Sequence, residues 1–191
     1  MQTTLLSDDL RLTVCGLDEL GAHGATNVTH VLSILDPGTP EPREFVTWDP
    51  HHRLTLRFHD IIGPWPGWEA PEREHVEALL AFGEELDLAG EALRHLLVHC
   101  HAGISRSTAA LAMLLARHTP VGDEPLIFAR LRQIRPQAWP NSRMVGFADE
   151  ILGRDGRLVA ALQDHYRLQA VALPSFIDEL RRSGRGAEVP G

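Results

Sequence analysis

The chain contains few cysteines and no long hydrophobic run, and each absence excludes a class of protein. Two cysteines in 191 residues, Cys15 and Cys100, cannot form the disulfide framework of a small secreted domain. No apolar stretch reaches the roughly 18 residues that a membrane-spanning helix needs. Residues 1–9 lack the basic segment and the apolar run of a secretory signal. We therefore expect a cytoplasmic protein with reduced thiols and no membrane partner.

An excess of positive charge is also missing. The formal net charge is −8 at pH 7, which disfavours nucleic acid and anionic membranes as main partners. The chain is long enough to bury a sizeable core within one domain. The sequence contains no internal repeat and no low-complexity segment, and it leaves the oligomeric state open.

Hydrophobic periodicity predicts an α/β fold with a central mixed, largely parallel sheet flanked by helices. Strands are predicted at 10–15, 28–35, 53–58 and 96–99. Helices are predicted at 71–88, 107–116, 123–135, 140–152, 158–166 and 175–182. We assign residues 1–152 to a core domain and 153–182 to a helical extension of the same domain. Residues 183–191 are small and polar, so we expect a disordered tail there.

The most informative segment of the chain is His99-Cys100-His101-Ala102-Gly103-Ile104-Ser105-Arg106, which Ser107 follows. It connects a predicted buried strand to a predicted helix that is apolar almost all round. Unpaired N–H groups converge at the N-terminus of such a helix, and the helix dipole adds partial positive charge. Gly103 lets the backbone approach an anion closely, and Arg106 can contact two phosphate oxygens at once. The loop is therefore predicted to bind phosphate in a field that favours the thiolate of Cys100.

This segment resembles the His-Cys-x5-Arg-Ser/Thr signature of the cysteine-dependent protein phosphatases. Within that superfamily, Ser105-Arg106-Ser107 is similar to the dual-specificity branch rather than to the larger tyrosine-specific enzymes. The resemblance extends over residues 10–152. Asp60 follows the third predicted strand on a Pro/Gly-rich loop, where the family has its general acid. Pro140-Asn141 is similar to the pair that opens the last core helix of the family.

The resemblance implies a phosphoprotein phosphatase that hydrolyses phosphotyrosine through a phosphocysteine intermediate, with phosphoserine and phosphothreonine as further candidate substrates. Cys100 would be the nucleophile, Asp60 the general acid and then the base, and Ser107 the partner of the leaving thiolate. His99 is expected to orient the loop. The phosphate would be held by six loop residues: His101, Ala102, Gly103, Ile104, Ser105 and Arg106. No cofactor and no metal are expected.

Two other functions stay open. The main alternative is a phosphatase of inositol phosphates, phosphoinositides or another non-protein phosphomonoester. Family members that act on 3-phosphoinositides have lysines in the loop, whereas this loop has His101, Ala102, Ile104 and Ser105. The second alternative is a phosphate-binding module without catalysis, which is disfavoured because Cys100, Arg106 and Asp60 are all retained.

Five residues keep two interpretations. Asp49 and Glu69 are the other candidate acids, and Glu69 could swing into the pocket from the far end of the Asp60 loop. Trp65 and Trp68 either line the pocket or fix the acid loop to the body of the domain. Cys15 is either a core residue in a strand or a resolving thiol for the oxidised nucleophile.

Overall fold

The computed structural model describes residues 10–191, so residues 1–9 of the predicted core domain lie outside the described residues. The strands are β1 (Arg11–Cys15), β2 (His30–Leu35), β3 (His52–Arg57) and β4 (His95–His99). The helices are α1 (Arg73–Ala89), α2 (Arg106–Ala116), α3 (Glu124–Ile134), α4 (Ser142–Ile151), α5 (Arg157–Ala172) and α6 (Pro174–Arg182). Within residues 10–191, none of the helices has the length and apolar character needed to cross a lipid bilayer.

The described strands form one sheet in the order β1-β4-β2-β3, with all three pairings parallel. The predicted α/β fold is therefore confirmed. Every residue of the two central strands, β2 and β4, is buried, as is typical of a parallel sheet covered on both faces. Parallel strands end at the same edge of a sheet, so the segments that follow β2, β3 and β4 meet there.

Helix α2 lies at the centre of the core. All of its residues are buried, because small and apolar side chains surround the helix on every side. It packs against β4 and against helices α1, α3 and α4. Its first turn therefore forms a fixed support for the loop that follows β4.

The C-terminal helices pack onto this core. Helix α5 contacts α3 and α4, and α6 contacts α5. The ring of Tyr166 stacks on that of Trp139 with centroids 4.8 Å apart. Helix α5 ends at Ala172, beyond its predicted end at residue 166. Leu168 and Val171 in this added stretch are exposed, so burial of apolar side chains does not mark where the helix ends. The boundary between core and extension at residues 152 and 153 stays a prediction.

The sequence predicts a disordered tail at residues 183–191, but the structure gives this segment a defined course. Arg185 and Glu188 are only 4% and 1% exposed, and Nε of Arg185 donates to Oε2 of Glu188 at 2.8 Å. Composition does not reveal this burial. Charged residues are almost never fully buried unless they are paired, and composition does not show which charged residues form a pair. We refer to residues 183–189 as the C-terminal strap.

His165 of α5 is buried as a neutral side chain. Its Nε2 lies 3.0 Å from the carbonyl oxygen of Ala138, and its Nδ1 lies 2.9 Å from Nη1 of Arg132. These partners assign the ring proton to Nε2, which donates to the carbonyl while Nδ1 accepts from the guanidinium. Burial lowers the pKa of His165 to about 4.

We expect the free energy of unfolding to fall as the pH decreases from about 6.5, because the unfolded chain then binds a proton at His165 that the folded protein excludes. His165→Gln can keep both hydrogen bonds but does not titrate. Its free energy of unfolding should therefore depend less steeply on pH, by about 1.4 kcal/mol per pH unit. Urea unfolding between about pH 7 and about pH 4.5 measures both slopes. Equal slopes would contradict the assignment.

Candidate active site

Cys100 directly follows β4 and is buried. Its Sγ lies 3.2 Å from Oγ of Ser107, a buried residue in the first turn of α2. The structure thus brings these two residues within hydrogen-bond distance, as the resemblance implies. A hydroxyl in this position can donate to a thiolate.

The loop of residues 101–105 turns its carbonyl groups away from the pocket. The carbonyl oxygen of Ser105 accepts from the backbone amide of Ala109 in α2, and three others accept hydrogen bonds from distant parts of the chain, at 2.8, 3.1 and 2.8 Å. The acceptors are His101, Ala102 and Ile104, and their respective donors are Leu17, Arg135 and Trp139. Within the part of the chain that the structure describes, no acceptor takes a hydrogen bond from the backbone amides of residues 101–106. These amides are left to converge on an anion.

Gly103 makes this path possible. Its φ is +69°, in the left-handed region that favours glycine, and a Cβ there would lie 2.4 Å from the carbonyl carbon of Cys15. The loop therefore presses directly against the end of β1.

Arg106 is the first residue of α2, and its side chain is buried. Its Nη1 donates to Oδ1 of Asp36 and to the carbonyl oxygen of Phe58, both at 2.5 Å. Its Nε is buried and has no hydrogen-bond partner among residues 10–191. The guanidinium is thus held from one side and keeps a free donor for a bound anion.

Asp60 accepts three hydrogen bonds. Oδ1 accepts from Oγ of Ser105 at 2.7 Å and from Nδ2 of Asn141 at 2.9 Å, and Oδ2 accepts from Nη1 of Arg185 at 3.2 Å. Burial acts to raise the pKa of Asp60. The guanidinium groups of Arg185 and Arg106, together with these hydrogen bonds, outweigh burial and hold that pKa below its usual value.

Cys100, Arg106 and Asp60 line one pocket of about 230 Å³. Of the three candidate acids, Asp60 is the one that reaches this pocket. Glu69 lines a separate groove of about 420 Å³, and Asp49 lines neither cavity. The geometry therefore favours Asp60 over both alternatives.

No family model matches the chain. Dual specificity protein phosphatase 12 of Rattus norvegicus is 31% identical over 114 residues, which cover 56% of this chain and 32% of the rat protein. The chain thus spans about a third of the length of this curated relative. The crystal structure of human DUSP28 matches with a TM-score of 0.54 and 19% identity, covering 75% of this chain and 94% of DUSP28. The Yvh1 phosphatase domain from Chaetomium thermophilum matches with a TM-score of 0.53 and 22% identity, covering 80% of this chain and 96% of the Yvh1 domain.

The chain therefore shares its fold with these solved phosphatase structures and is similar in sequence to a curated dual specificity protein phosphatase. The resemblance stated from the sequence is therefore confirmed. The class of enzyme that it implies, a cysteine-dependent phosphatase, agrees with these relatives.

Two histidines, His99 and His101, flank Cys100 and face different partners. Nε2 of His99 lies 2.6 Å from Oγ of Ser33, and burial lowers the pKa of His99 to about 4, so the ring is neutral at pH 7. Nε2 of His101 accepts from the backbone amide of Asp36 at 3.1 Å. Across residues 10–191, no cluster of three His, Cys, Asp or Glu side chains is arranged to hold a metal ion.

Trp65 and Trp68 lie in the separate groove with Glu69 and are about half exposed. The ring of Trp68 packs on that of His59, with centroids 4.5 Å apart. Trp65 approaches Gly184 of the strap so closely that a Cβ there would lie 2.7 Å from the indole. Of the two interpretations, the structure favours attachment of the acid loop to the body of the domain.

The other cysteine of the chain, Cys15, has the environment of a core residue. Cys15 packs among Leu20, Val31 and Leu97, and burial raises its pKa to about 12. A thiol of this kind holds almost no thiolate at neutral pH, and thiolate is the form that exchanges with oxidised sulfur. The core interpretation is therefore favoured.

Sequence reasoning missed one wall of the pocket that Cys100, Arg106 and Asp60 line. Phe176, Glu179 and Leu180 of α6 line it, together with Ser183 and Arg185 of the strap. It also missed the contact of Asp36 with Arg106. Asp36 directly follows a predicted strand, which places it at the sheet edge where a binding site can form. This position indicates a contact with Arg106 only if β2 is known to lie beside β4.

We expect Gly103→Ala to destabilise the protein and to abolish binding of inorganic phosphate, because the methyl group would collide with the backbone of Cys15. Gly38→Ala is the matched control: Gly38 also has a positive φ, +80°, but open space around it. The control should lose only the about 1–2 kcal/mol of left-handed strain. Thermal unfolding and phosphate titration compare the two, and equal losses would show that strain alone, and not the contact with Cys15, is responsible.

Proposed function

We propose that this chain is a phosphoprotein phosphatase that hydrolyses phosphotyrosine through a phosphocysteine intermediate. The proposal is carried by one observation: Cys100, Arg106 and Asp60 line the same pocket. A nucleophile, an anion-binding guanidinium and a carboxyl group are the parts that hydrolysis of a phosphomonoester requires. Their convergence favours a catalytic site over a module that only binds phosphate.

In the first step, the thiolate of Cys100 attacks phosphorus, so that an S–P bond forms and the bond to the leaving oxygen breaks. The amides of residues 101–106 and the guanidinium of Arg106 hold the three remaining phosphoryl oxygens as charge redistributes. Asp60 gives its proton to the leaving oxygen. Arg106 suits this role because Asp36 and Phe58 fix its orientation before phosphate arrives.

In the second step, water attacks the phosphocysteine, and Asp60 takes a proton from that water. The P–S bond breaks and inorganic phosphate leaves. The hydroxyl of Ser107, 3.2 Å from Sγ of Cys100, donates to the departing thiolate. His99, neutral and bonded to Ser33, orients the loop and transfers no proton.

The walls of the pocket favour a phosphoaryl group. Ile104, Phe176 and Leu180 supply apolar surface beside the phosphate loop, which suits the ring of phosphotyrosine. Apart from Arg106, the basic side chains of the pocket are His101 and Arg185, and Arg185 is already paired with carboxylates. A polyphosphorylated inositol ring would lack cations for its further phosphates, and the whole sequence contains no lysine. We therefore prefer a phosphoprotein to a phosphoinositide as substrate.

We further propose a reducing, cytoplasmic setting, because both cysteines are free and the mechanism requires a reduced Cys100. A phosphorylated protein is the proposed partner. The net charge of −8 remains the argument against nucleic acid as a partner.

Wild-type protein is expected to hydrolyse aryl phosphates in the presence of EDTA, and Cys100→Ser should abolish turnover because a serine hydroxyl is not ionised by the field of the loop. Cys15→Ala, which removes the other thiol, should retain turnover. In a panel of phosphotyrosyl, phosphoseryl and phosphothreonyl peptides with soluble inositol phosphates, the phosphotyrosyl peptides should have the highest kcat/KM. Full activity of the Ser variant would refute the mechanism, and a preference for inositol phosphates would replace the proposed substrate.

If Asp60 is the general acid, kcat/KM should be a bell-shaped function of pH, and its descending limb should reflect loss of the Asp60 proton. Because the pKa of Asp60 lies below its usual value, we expect the optimum on the acid side of neutral. Asp60→Asn should remove the descending limb and slow substrates with poor leaving groups by about 10²-fold or more. Substrates whose leaving group departs without a proton should be affected much less.

Glu69→Gln is the control for this measurement, because Glu69 lies in the separate groove. It should keep the wild-type profile. Loss of the bell in this variant, with its retention in Asp60→Asn, would transfer the role of acid to Glu69.

A further inference from the structure

Arg185 of the C-terminal strap reaches the proposed catalytic carboxylate from the far end of the chain. Its Nη1 donates to Oγ of Ser105 at 2.6 Å and to Oδ2 of Asp60 at 3.2 Å. Its Nη2 donates to the carbonyl oxygen of Trp139 at 3.3 Å, and its Nε donates to Glu188. A buried guanidinium with partners at all three nitrogens has one orientation, and this one directs it at Asp60.

Glu188 holds Arg185 from behind and links it to α4. Oε2 of Glu188 accepts from Arg185, while Oε1 accepts from the backbone amide of Ser142 at 2.7 Å. Asn141 caps the same helix through its side-chain oxygen and donates Nδ2 to Asp60. The strap, the start of α4 and Asp60 therefore belong to one hydrogen-bonded network.

The strap is also attached to the acid loop itself. Gly184, directly before Arg185, has φ +77° and lies against the indole of Trp65. Leu180, at the end of the preceding helix, is buried in the main core. Leu180 and Gly184 anchor the chain before Arg185, and Glu188 anchors it after Arg185. The guanidinium is therefore fixed relative to Asp60 by several contacts and not by one.

We propose that Arg185 is a positioning residue of the active site, which holds the carboxylate of Asp60 at the pocket and opposes its protonation. The inference rests on the proposed role of Asp60 as general acid. Two guanidinium groups act on Asp60, those of Arg185 and Arg106. A bound phosphoryl dianion neutralises the field of Arg106, whereas Arg185 keeps its contact with Asp60. Arg185 is thus the cation that still acts on the acid when substrate is present.

Other ionisable groups surround Asp60 and bear on its titration. The pocket and strap contribute Cys100, His101, Arg106, Glu179, Arg185 and Glu188. From α5, Tyr166 donates its hydroxyl to the carbonyl of Pro140, and burial raises its pKa well above the usual value, so it stays neutral. Burial also raises the pKa of Glu188 above its ordinary value. Of these groups, Arg185 is the one that bonds to Asp60 and stays outside the phosphate cradle.

The direct test is carbon-13 NMR titration of the Asp60 carboxyl group in Cys100→Ser protein. The Asp60 resonance is assigned as the one that disappears when Asp60→Asn is added to Cys100→Ser. Arg185→Gln should move the titration midpoint of Asp60 to higher pH by about 1–3 units, because an adjacent cation no longer favours the carboxylate. Arg182→Gln is the matched control: it removes an exposed guanidinium from the end of α6 that bonds to Asp178. Its midpoint should not move. An unmoved midpoint in the Arg185 variant would overturn the proposal.

The same shift should be visible in turnover. In Arg185→Gln, the descending limb of kcat/KM for a substrate with a poor leaving group should move to higher pH by about 1–3 units. In the background of Asp60→Asn, the same substitution should leave the pH profile unchanged. A uniform fall in kcat/KM without displacement of the limb would mean that Arg185 is only structural, and this result would also overturn the proposal.

Arg185→Gln leaves the buried carboxylate of Glu188 without its partner, which is destabilising. If this variant does not fold, Arg185→Gln combined with Glu188→Gln removes both charges and undergoes the same titration with the same expected shift. The NMR measurement does not require turnover. Wild-type protein that hydrolyses no phosphomonoester would therefore refute the proposed function, while the midpoint of Asp60 would still decide whether Arg185 controls that carboxyl group.

Discussion

The outward direction of the carbonyl groups in residues 101–105 is the constraint on which the rest of the site depends. Each carbonyl that is bonded from outside turns a neighbouring amide towards the pocket, and buried amides need an acceptor. The donors come from three distant parts of the chain, at Leu17, Arg135 and Trp139. The anion site is therefore a product of the whole domain, although its motif is eight residues long.

The pocket balances its charges before any substrate arrives. Arg106 has Asp36 as its carboxylate partner, and Arg185 has Asp60. An unpaired guanidinium would be expensive to bury, so each cation needs a counter-charge in the empty protein. Asp36 lies behind Arg106, which leaves Nε free for phosphate. Asp60 lines the same pocket, and both guanidinium groups act to lower its pKa.

Local patterns in the sequence were sufficient for the strand, loop and helix around Cys100. Apolar strand residues, Gly103 and a helix that is apolar almost all round each predict their own conformation without reference to distant parts of the chain. The contacts of Asp36 with Arg106 and of Asp60 with Arg185 span 70 and 125 residues. The first depends on strand order and the second on docking of a segment that composition marks as a tail. No local periodicity encodes either of them.

The separation of 125 residues between Asp60 and Arg185 also makes the strap the last part of the pocket to be synthesised. On the ribosome, Cys100, Arg106 and Asp60 are all synthesised before residue 185. The nascent domain therefore passes through a stage in which Asp60 is present without Arg185. Completion of the pocket is then coupled to synthesis of the strap.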